Sequence, residues 1–442
     1  MSRRWPAHAA VTAVSLAAVV MAGVRRDATA GAIRVLRSDR VYEVLLVPPS
    51  GAPSLLASRR AGPRQTIVAA EQELQPSADG RWLGYRGSKR DLHFRSAAGT
   101  ERVITDVDPS GLFTFAPDGR SVAVWGAGAW PGDELSAIDL ATGARRSLGR
   151  FARVAALRWT GRGLIVFHRL ARYFHYEPFE LFEWDWWSLS ALARLPFSSV
   201  ASDNPYAPFA ASQVWDDVLS LFPAGTDREG GPELLYRGAL YGFAAAARGA
   251  RVIAFARDGA ILDLDAADPE RPPRAIDGNR GVVDNAELSP DGARVLFVGT
   301  RKLDWEPEAY VIEPGRTTAH PLARACGRDL WFSGTGASFV CADGGGLLYG
   351  PETGAPRAVS PFGGRPAAAS APAVASVRFQ TDGRAIVATE REVFITDLER
   401  GTREPLGHLD DGERRIISAD RFDGGLVLWI EAPVDAKRPS WR

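Results

Sequence analysis

The chain has 442 residues, 45% of them hydrophobic and 24% charged, so it is long and apolar enough to bury a large core. Its 53 basic and 53 acidic residues cancel to a formal net charge of zero, which argues against a broad electrostatic footprint for nucleic acid or an anionic membrane surface. Only Lys89, Lys302 and Lys437 are lysines, so nearly all the positive charge is arginine.

The N-terminus has the three-part layout of a secretory signal. "MSRRW" is a basic start, Ala7 to Val24 is an apolar run, and "ATA" at 28–30 offers small residues before Gly31. Removal of residues 1–30 is expected, leaving 31–442 as one exported domain, periplasmic or secreted, with no stable membrane anchor. An uncleaved anchor is the alternative, since about 18 apolar residues just span a bilayer. Arg25 and Arg26 on the far side would break the positive-inside tendency.

Past the signal, "EVLLVPPSGAPSLLAS" (43–58) reads as a hairpin between two short apolar runs. A different kind of hairpin follows loosely at 74–87 and clearly in "LFTFAPDGRSVAVWG" (112–126). In its turn, Pro pre-sets φ at the first corner, Asp fits the second, and Gly takes the left-handed conformation. The flanking run "SVAVW" is apolar or small on both faces, which belongs to a sheet covered on both sides. "GAWPGDE" (128–134) then leads into the next strand.

The aromatic stretch "RYFHYEPFELFEWDWWSL" (172–189) is the densest oddity of the chain. Its second half alternates, so Phe182, Trp184 and Trp186 are read as one face of a strand and as core. Its first half, Tyr173, Phe174, His175 and Tyr176, is read as a loop. "DNPYAPF" (203–209) follows in a unit near 198–239 that lacks a clear first hairpin. The sharp turn returns in "NAELSPDGARVLFVG" (285–299), is followed by "KLDWEPEAY" (302–310), and recurs in "VRFQTDGRAIVATE" (377–390) and "ADRFDGGLVLWIEA" (419–432). Cys326 and Cys341 are placed on two arms of one hairpin, about two residues from direct opposition. One disulfide in an oxidising compartment and a free pair are both open.

The turn glycines form a ladder through Gly80, Gly119, Gly161, Gly249, Gly292, Gly336, Gly383 and Gly424, with most steps between 39 and 47 residues. The step from Gly161 to Gly249 equals two. A second ladder runs out of phase through Gly99, Gly143, Gly315, Gly354 and Gly401. The repeat is therefore two hairpins, four antiparallel strands, of about 43 residues, which is the period and strand count of a propeller blade. The ends complement each other: 43–58 is a second hairpin without a first, and 419–432 a first without a second. Joined, they form one blade and remove the free edges of the ring. The fold expected is an all-β propeller of eight blades, with seven and nine as alternatives because the ladders admit nine units.

The stretches 286–299, 113–126 and 377–390, and more loosely 74–87, resemble the bacterial WD-type repeat of TolB-like propellers; related repeats form the propellers of prolyl-oligopeptidase-type enzymes. The resemblance implies the propeller fold over the whole mature chain. Two departures are expected. The blades begin directly after the signal, without the α/β domain of TolB, and the 18 residues after Gly424 leave no room for a hydrolase domain.

The repeated Asp79, Asp118, Asp291 and Asp382 are read as turn residues rather than a carboxylate cluster. No G-x-S-x-G elbow stands between a strand and a helix. His93, His168, His175, His320 and His408 show no metal-ligand spacing, and no cofactor or metal is expected. The loop between second and third strands emerges on the same face in every blade of such a meander. Trp130, Tyr173, Phe174, His175, Tyr176, Trp305 and Glu306 belong to long loops of this kind, whereas "ARDGA" (256–260) and "ATERE" (388–392) are short. Aromatic anchors suit recognition, and the rings folding down to cap the sheets is the competing reading. The function expected is a non-catalytic, monomeric scaffold in the bacterial cell envelope that binds a protein or peptide. The alternative is an enzyme or carbohydrate binder that uses the central channel, in which His168 and His175 would matter.

Overall fold

The S-x-D-G stretches are turns closed by their own side chains. Ser289 Oγ donates to Asp291 Oδ1 at 2.6 Å, the same oxygen accepts the Ala293 N–H at 3.0 Å, and Ser289 Oγ accepts the Arg294 N–H at 2.8 Å. Ser77 and Asp79 repeat the arrangement before Trp82. Gly80, Gly119, Gly292, Gly336, Gly383 and Gly424 carry φ between 66° and 80°, where a Cβ is strained. Gly161 and Gly249 do not have positive φ; at the first of these hairpins the left-handed residue is Gly163, with φ 148°. Asp79, Asp118 and Asp291 thus perform turn chemistry, which holds a local hairpin and requires no ligand, while Asp382 lies outside the described residues.

A computed structural model of the chain describes residues 33–434 and Trp441, apart from 37–38, 61–65, 70–72, 128–132, 152–153, 173–213, 225–231, 278–282, 301–306, 315, 324–328, 344–345, 352–355, 361–373, 382 and 411. The described residues form eight four-stranded antiparallel sheets and one two-stranded sheet. Seven of the four-stranded sheets are consecutive meanders: blade 1 (74–104), blade 2 (107–151), blade 3 (154–238), blade 4 (240–277), blade 5 (283–323), blade 6 (329–359) and blade 7 (374–408).

Blade 8 is assembled from both ends of the chain. Arg415–Phe422 and Gly425–Pro433 form its inner pair, and Arg40–Val47 and Ser54–Arg60 its outer pair. The seam is an unbroken antiparallel ladder from Arg40↔Pro433 to Val47↔Leu426. The small extra sheet pairs Ile33–Leu36 with Thr66–Ala69, and its Leu36 is buried against blade 8 and blade 1.

Blade 3 resolves the choice between eight and nine. Val214–Pro223 and Glu233–Gly238 are its third and fourth strands, paired onto Gly163–Arg172. The unit near 198–239 is therefore no blade of its own, and the step from Gly161 to Gly249 spans one blade that carries an insertion rather than two blades. The glycine count alone misleads here because a long segment between second and third strands mimics the length of a repeat.

Each gap between neighbouring blades holds its own apolar cluster. One lies between blades 8 and 1, around Tyr42, Leu83 and Trp429. The others follow in turn around the ring through blades 1 and 2, 2 and 3, 3 and 4, and so on to 7 and 8. This explains why the strands read as apolar on both faces: each sheet is packed on both sides. All eight gaps are filled, so the ring is an eight-bladed β-propeller closed on itself.

Candidate functional site

The first strand of each blade is innermost and borders the axis. Counting back from the turns, the hairpin register puts Glu287, Trp331, Arg378, Asp420, Gln75 and Arg158 at one equivalent place on blades 5, 6, 7, 8, 1 and 3, opposite Leu296, Val340, Ile386, Val427, Gly84 and Ile165. Thr114 and Ala244 hold that place on blades 2 and 4. Directly opposed residues share a face of the sheet, and their partners Leu296, Val340, Ile386 and Val427 sit in the gap leading to the next blade. The equivalent side chains therefore lean on the next blade at the inner rim of the gap. Apolar strands carry a polar or charged residue at this place in six of eight blades, with Trp331 and Ala244 on the other two, and the result is a collar around the channel.

Three collar residues are in sequence-distant contact. The Arg378 guanidinium lies over the Trp331 ring, 3.7 Å from the centroid, and its Nε is 3.5 Å from Asp420 Oδ2. Arg378 thus joins the inner strands of blades 6, 7 and 8. Burial pushes the Asp420 carboxyl above its ordinary pKa, while the Arg378 charge and the Arg421 N–H act in the opposite direction. The indole Nε1 of Trp331 is buried and has no hydrogen-bond partner among the described residues.

Other charged groups are committed to holding blades together. Asp217, 1% exposed, accepts from Arg169 Nε at 2.8 Å, from Arg257 Nη2 at 3.2 Å and from the Leu240 N–H at 2.8 Å, which ties blade 3 to blade 4. Glu73 is held by Arg59 and Arg86, and Arg86 donates to the Gly111 carbonyl. Arg414, also buried, faces Glu43 across the seam of blade 8 at 3.5 Å. Such pairs cost desolvation, and their removal leaves an unmatched buried charge.

The histidines divide in the same way. His168 is 6% exposed, lies edge-on to Phe151 with centroids 4.8 Å apart, and shares a 2.9 Å hydrogen bond between Nε2 and Ser220 Oγ. Burial lowers its pKa to about 4. It sits within blade 3 where it packs against blade 2, so the expected link between His168 and a channel site is corrected: this ring is a packing residue. On blade 1, His93 bridges Asp91 and Glu101 at 3.0 Å each and stacks on Tyr85. Burial raises the Glu101 pKa, but hydrogen bonds from Tyr85 and His93 outweigh it and hold the carboxyl below its ordinary range. Among the described residues, no group of three His, Cys, Asp or Glu is placed to hold a metal ion.

Trp130, Tyr173, Phe174, His175, Tyr176, Trp305 and Glu306 lie outside the described residues, as do Phe182, Trp184, Trp186 and Cys326. The strands on either side of them are described. Segment 128–132 joins the second and third strands of blade 2, 173–213 those of blade 3, and 301–306 those of blade 5. "DNPYAPF" (203–209) therefore belongs to the same kind of connection on blade 3. The strand ends that carry all three segments open on one face of the ring. Cys341 is disulfide-bonded and buried. The register sets it opposite Leu330, further from Cys326 along the chain than an offset of about two residues.

The sequence reading did not single out Trp331, Arg378 or Asp420. Their signal was present: "DLWFSGTG", "VRFQTDG" and "ADRFDGG" each carry a bulky or charged residue at the collar place, visible once the repeats are aligned on their turns.

No protein-family model and no curated protein matches this chain. Among solved structures, a prolyl endopeptidase is similar at 12% identity and a TM-score of 0.46, over 80% of this chain and 53% of that one. The chain thus spans about half the length of that enzyme. An oligogalacturonate lyase in complex with manganese is similar at 12% identity and TM-score 0.43, over 92% and 99% of the two chains. The β-propeller domain of Myceliophteria thermophila Cps50 (Swd1) is similar at 12% identity and TM-score 0.40, over 76% and 94%. Each likeness is one of fold, and the activities of those proteins belong to them alone.

Proposed function

We propose that the protein is an exported, non-catalytic propeller of the TolB-like, WD-type kind that binds a protein or peptide partner in the bacterial cell envelope. The observation that carries this reading is the common exit of three aromatic-bearing connections, on blades 2, 3 and 5, from one face of a rigid ring. Function tends to sit on loops held by such scaffolds, and Trp and Tyr are the usual anchors of recognition. The signal-like N-terminus supports export of the chain, and cell fractionation with an antibody to the propeller tests it.

The direct test is a triple variant, Trp130→Ala, Tyr176→Ala and Trp305→Ala, used beside wild type to capture partners from an envelope extract. The expected result is loss of the captured protein with thermal unfolding nearly unchanged. Equal capture by both chains would remove the loop face from consideration. A collapse of the melting transition would show that the three rings are core.

A further inference from the structure

Several arginines among the described residues spend their terminal amino groups inside the fold. Arg251 donates to the Gly292 and Ala293 carbonyls and to Asp263; Arg102 donates to Ala141 and Arg357 to Glu399. Arg378 differs. It is held on one side by the Trp331 face and at Nε by Asp420, yet its two terminal amino groups make no hydrogen bond among the described residues. Its side chain is 12% exposed, and its nitrogens are not among the buried polar atoms that lack a partner. The open end of the guanidinium therefore reaches solvent from an inner strand, in a setting that is otherwise largely dry.

A guanidinium fixed in this way is a prepared receptor. Its planar fork matches the two oxygens of a carboxylate, and the stacking and the ion pair remove the rotamer freedom that binding would otherwise cost. Asp420 limits the charge: one cation beside one anion disfavours a dianion such as phosphate, and the ligand that fits is a monoanionic carboxylate. We infer that Arg378, positioned by Trp331 and Asp420, forms a carboxylate-binding site in the wall of the axial channel. Its ligand is an acidic side chain or C-terminus of a polypeptide entering the ring. The site is separate from the loop face of blades 2, 3 and 5, so the failure of either leaves the other standing.

The test is calorimetric titration of the mature protein with hexaglutamate, with hexaglutamine and with sodium acetate. Hexaglutamate is expected to bind and hexaglutamine not. Arg378→Gln weakens hexaglutamate binding by at least about tenfold, and Arg378→Lys, which keeps the charge without the fork, also weakens it. Asp420→Asn, which removes the competing anion, tightens binding. This opposite sign is one that a merely destabilised ring would not produce. Melting curves identify a variant that fails to fold, and the Lys and Asn variants then carry the test. Acetate binding as tightly per carboxylate as hexaglutamate would overturn the assignment to a polypeptide and leave a small-acid site. Hexaglutamate binding that is absent in wild type, or unaltered in Arg378→Gln, would overturn the site itself.

Discussion

His168 gives the ring a defined response to acid. Its imidazole is neutral in the fold because burial against Phe151 and Ser220 disfavours the charged form, which lowers its pKa from 6.5 to about 4. In the unfolded chain the same group protonates near 6.5. Between these values the unfolded state binds more protons, so stability rises with pH across this window. The contribution is fully present above about pH 6.5 and is lost as pH falls towards 4. At 1.36 kcal/mol per pH unit the whole interval is worth about 3 kcal/mol. With an unfolding entropy of about 2 cal/mol/K per residue over roughly 400 residues, that is about 4 °C in melting temperature. Carboxyls such as Glu101 and Asp291, whose pKa values are lowered in the fold, titrate in the same range, so wild type alone does not isolate the effect. The measurement is therefore a comparison of wild type with His168→Gln, each melted from pH 7.5 to pH 4 and followed by circular dichroism. The wild-type transition is expected to drop by about 4 °C more than that of the variant. Parallel curves would refute the argument, because they would mean that His168 charges without cost where it lies.

Two further outcomes follow from the packing. Trp429, 1% exposed at the seam of blade 8 and next to Tyr42, is expected to lose about 3–5 kcal/mol on replacement by Ala, read as a lowered midpoint in urea; an unchanged midpoint would contradict the seam as described. At the C-terminal end, Trp441 bridges Leu409 and covers Gly407, whose φ is 151° and whose position has no room for a Cβ beside the indole. Gly407→Ala should displace Trp441 and lower the melting point, and it should have a smaller effect in a Trp441→Ala background. Additive effects would mean that the two do not touch.

The fold was legible because its code is local. A turn such as "SPDG" needs only its own Ser, Asp and Gly, as the bonds around Ser289 and Asp291 show, and the spacing of such turns counts hairpins. The seam was legible for the same reason: 43–58 and 419–432 are incomplete by themselves, and they pair as Val44↔Trp429 and its neighbours. The blade count was harder, because the segment between Arg172 and Val214 has the length of a repeat without its turns. The collar was not legible from single stretches. Arg378 beside Phe379 reads as an ordinary surface residue of a strand, and only the ring brings it between Trp331 and Asp420, 47 and 42 residues away. His168 shows the converse error, since a histidine in an apolar strand looks like chemistry until its neighbours are known to be Phe151 and Ser220.

The composite eighth blade also sets an order of events. The strands that finish the inner wall, 415–433, come after all seven other blades along the chain, while their partners at 40–60 come before them. A chain leaving a ribosome or a translocation pore therefore spends most of its passage as an open crescent with two bare flanks, the condition in which strands join strangers. Circularity arrives in a single step, when 425–433 pairs with 40–47. Any device that protects this molecule in transit has to act before residues 415–433 emerge.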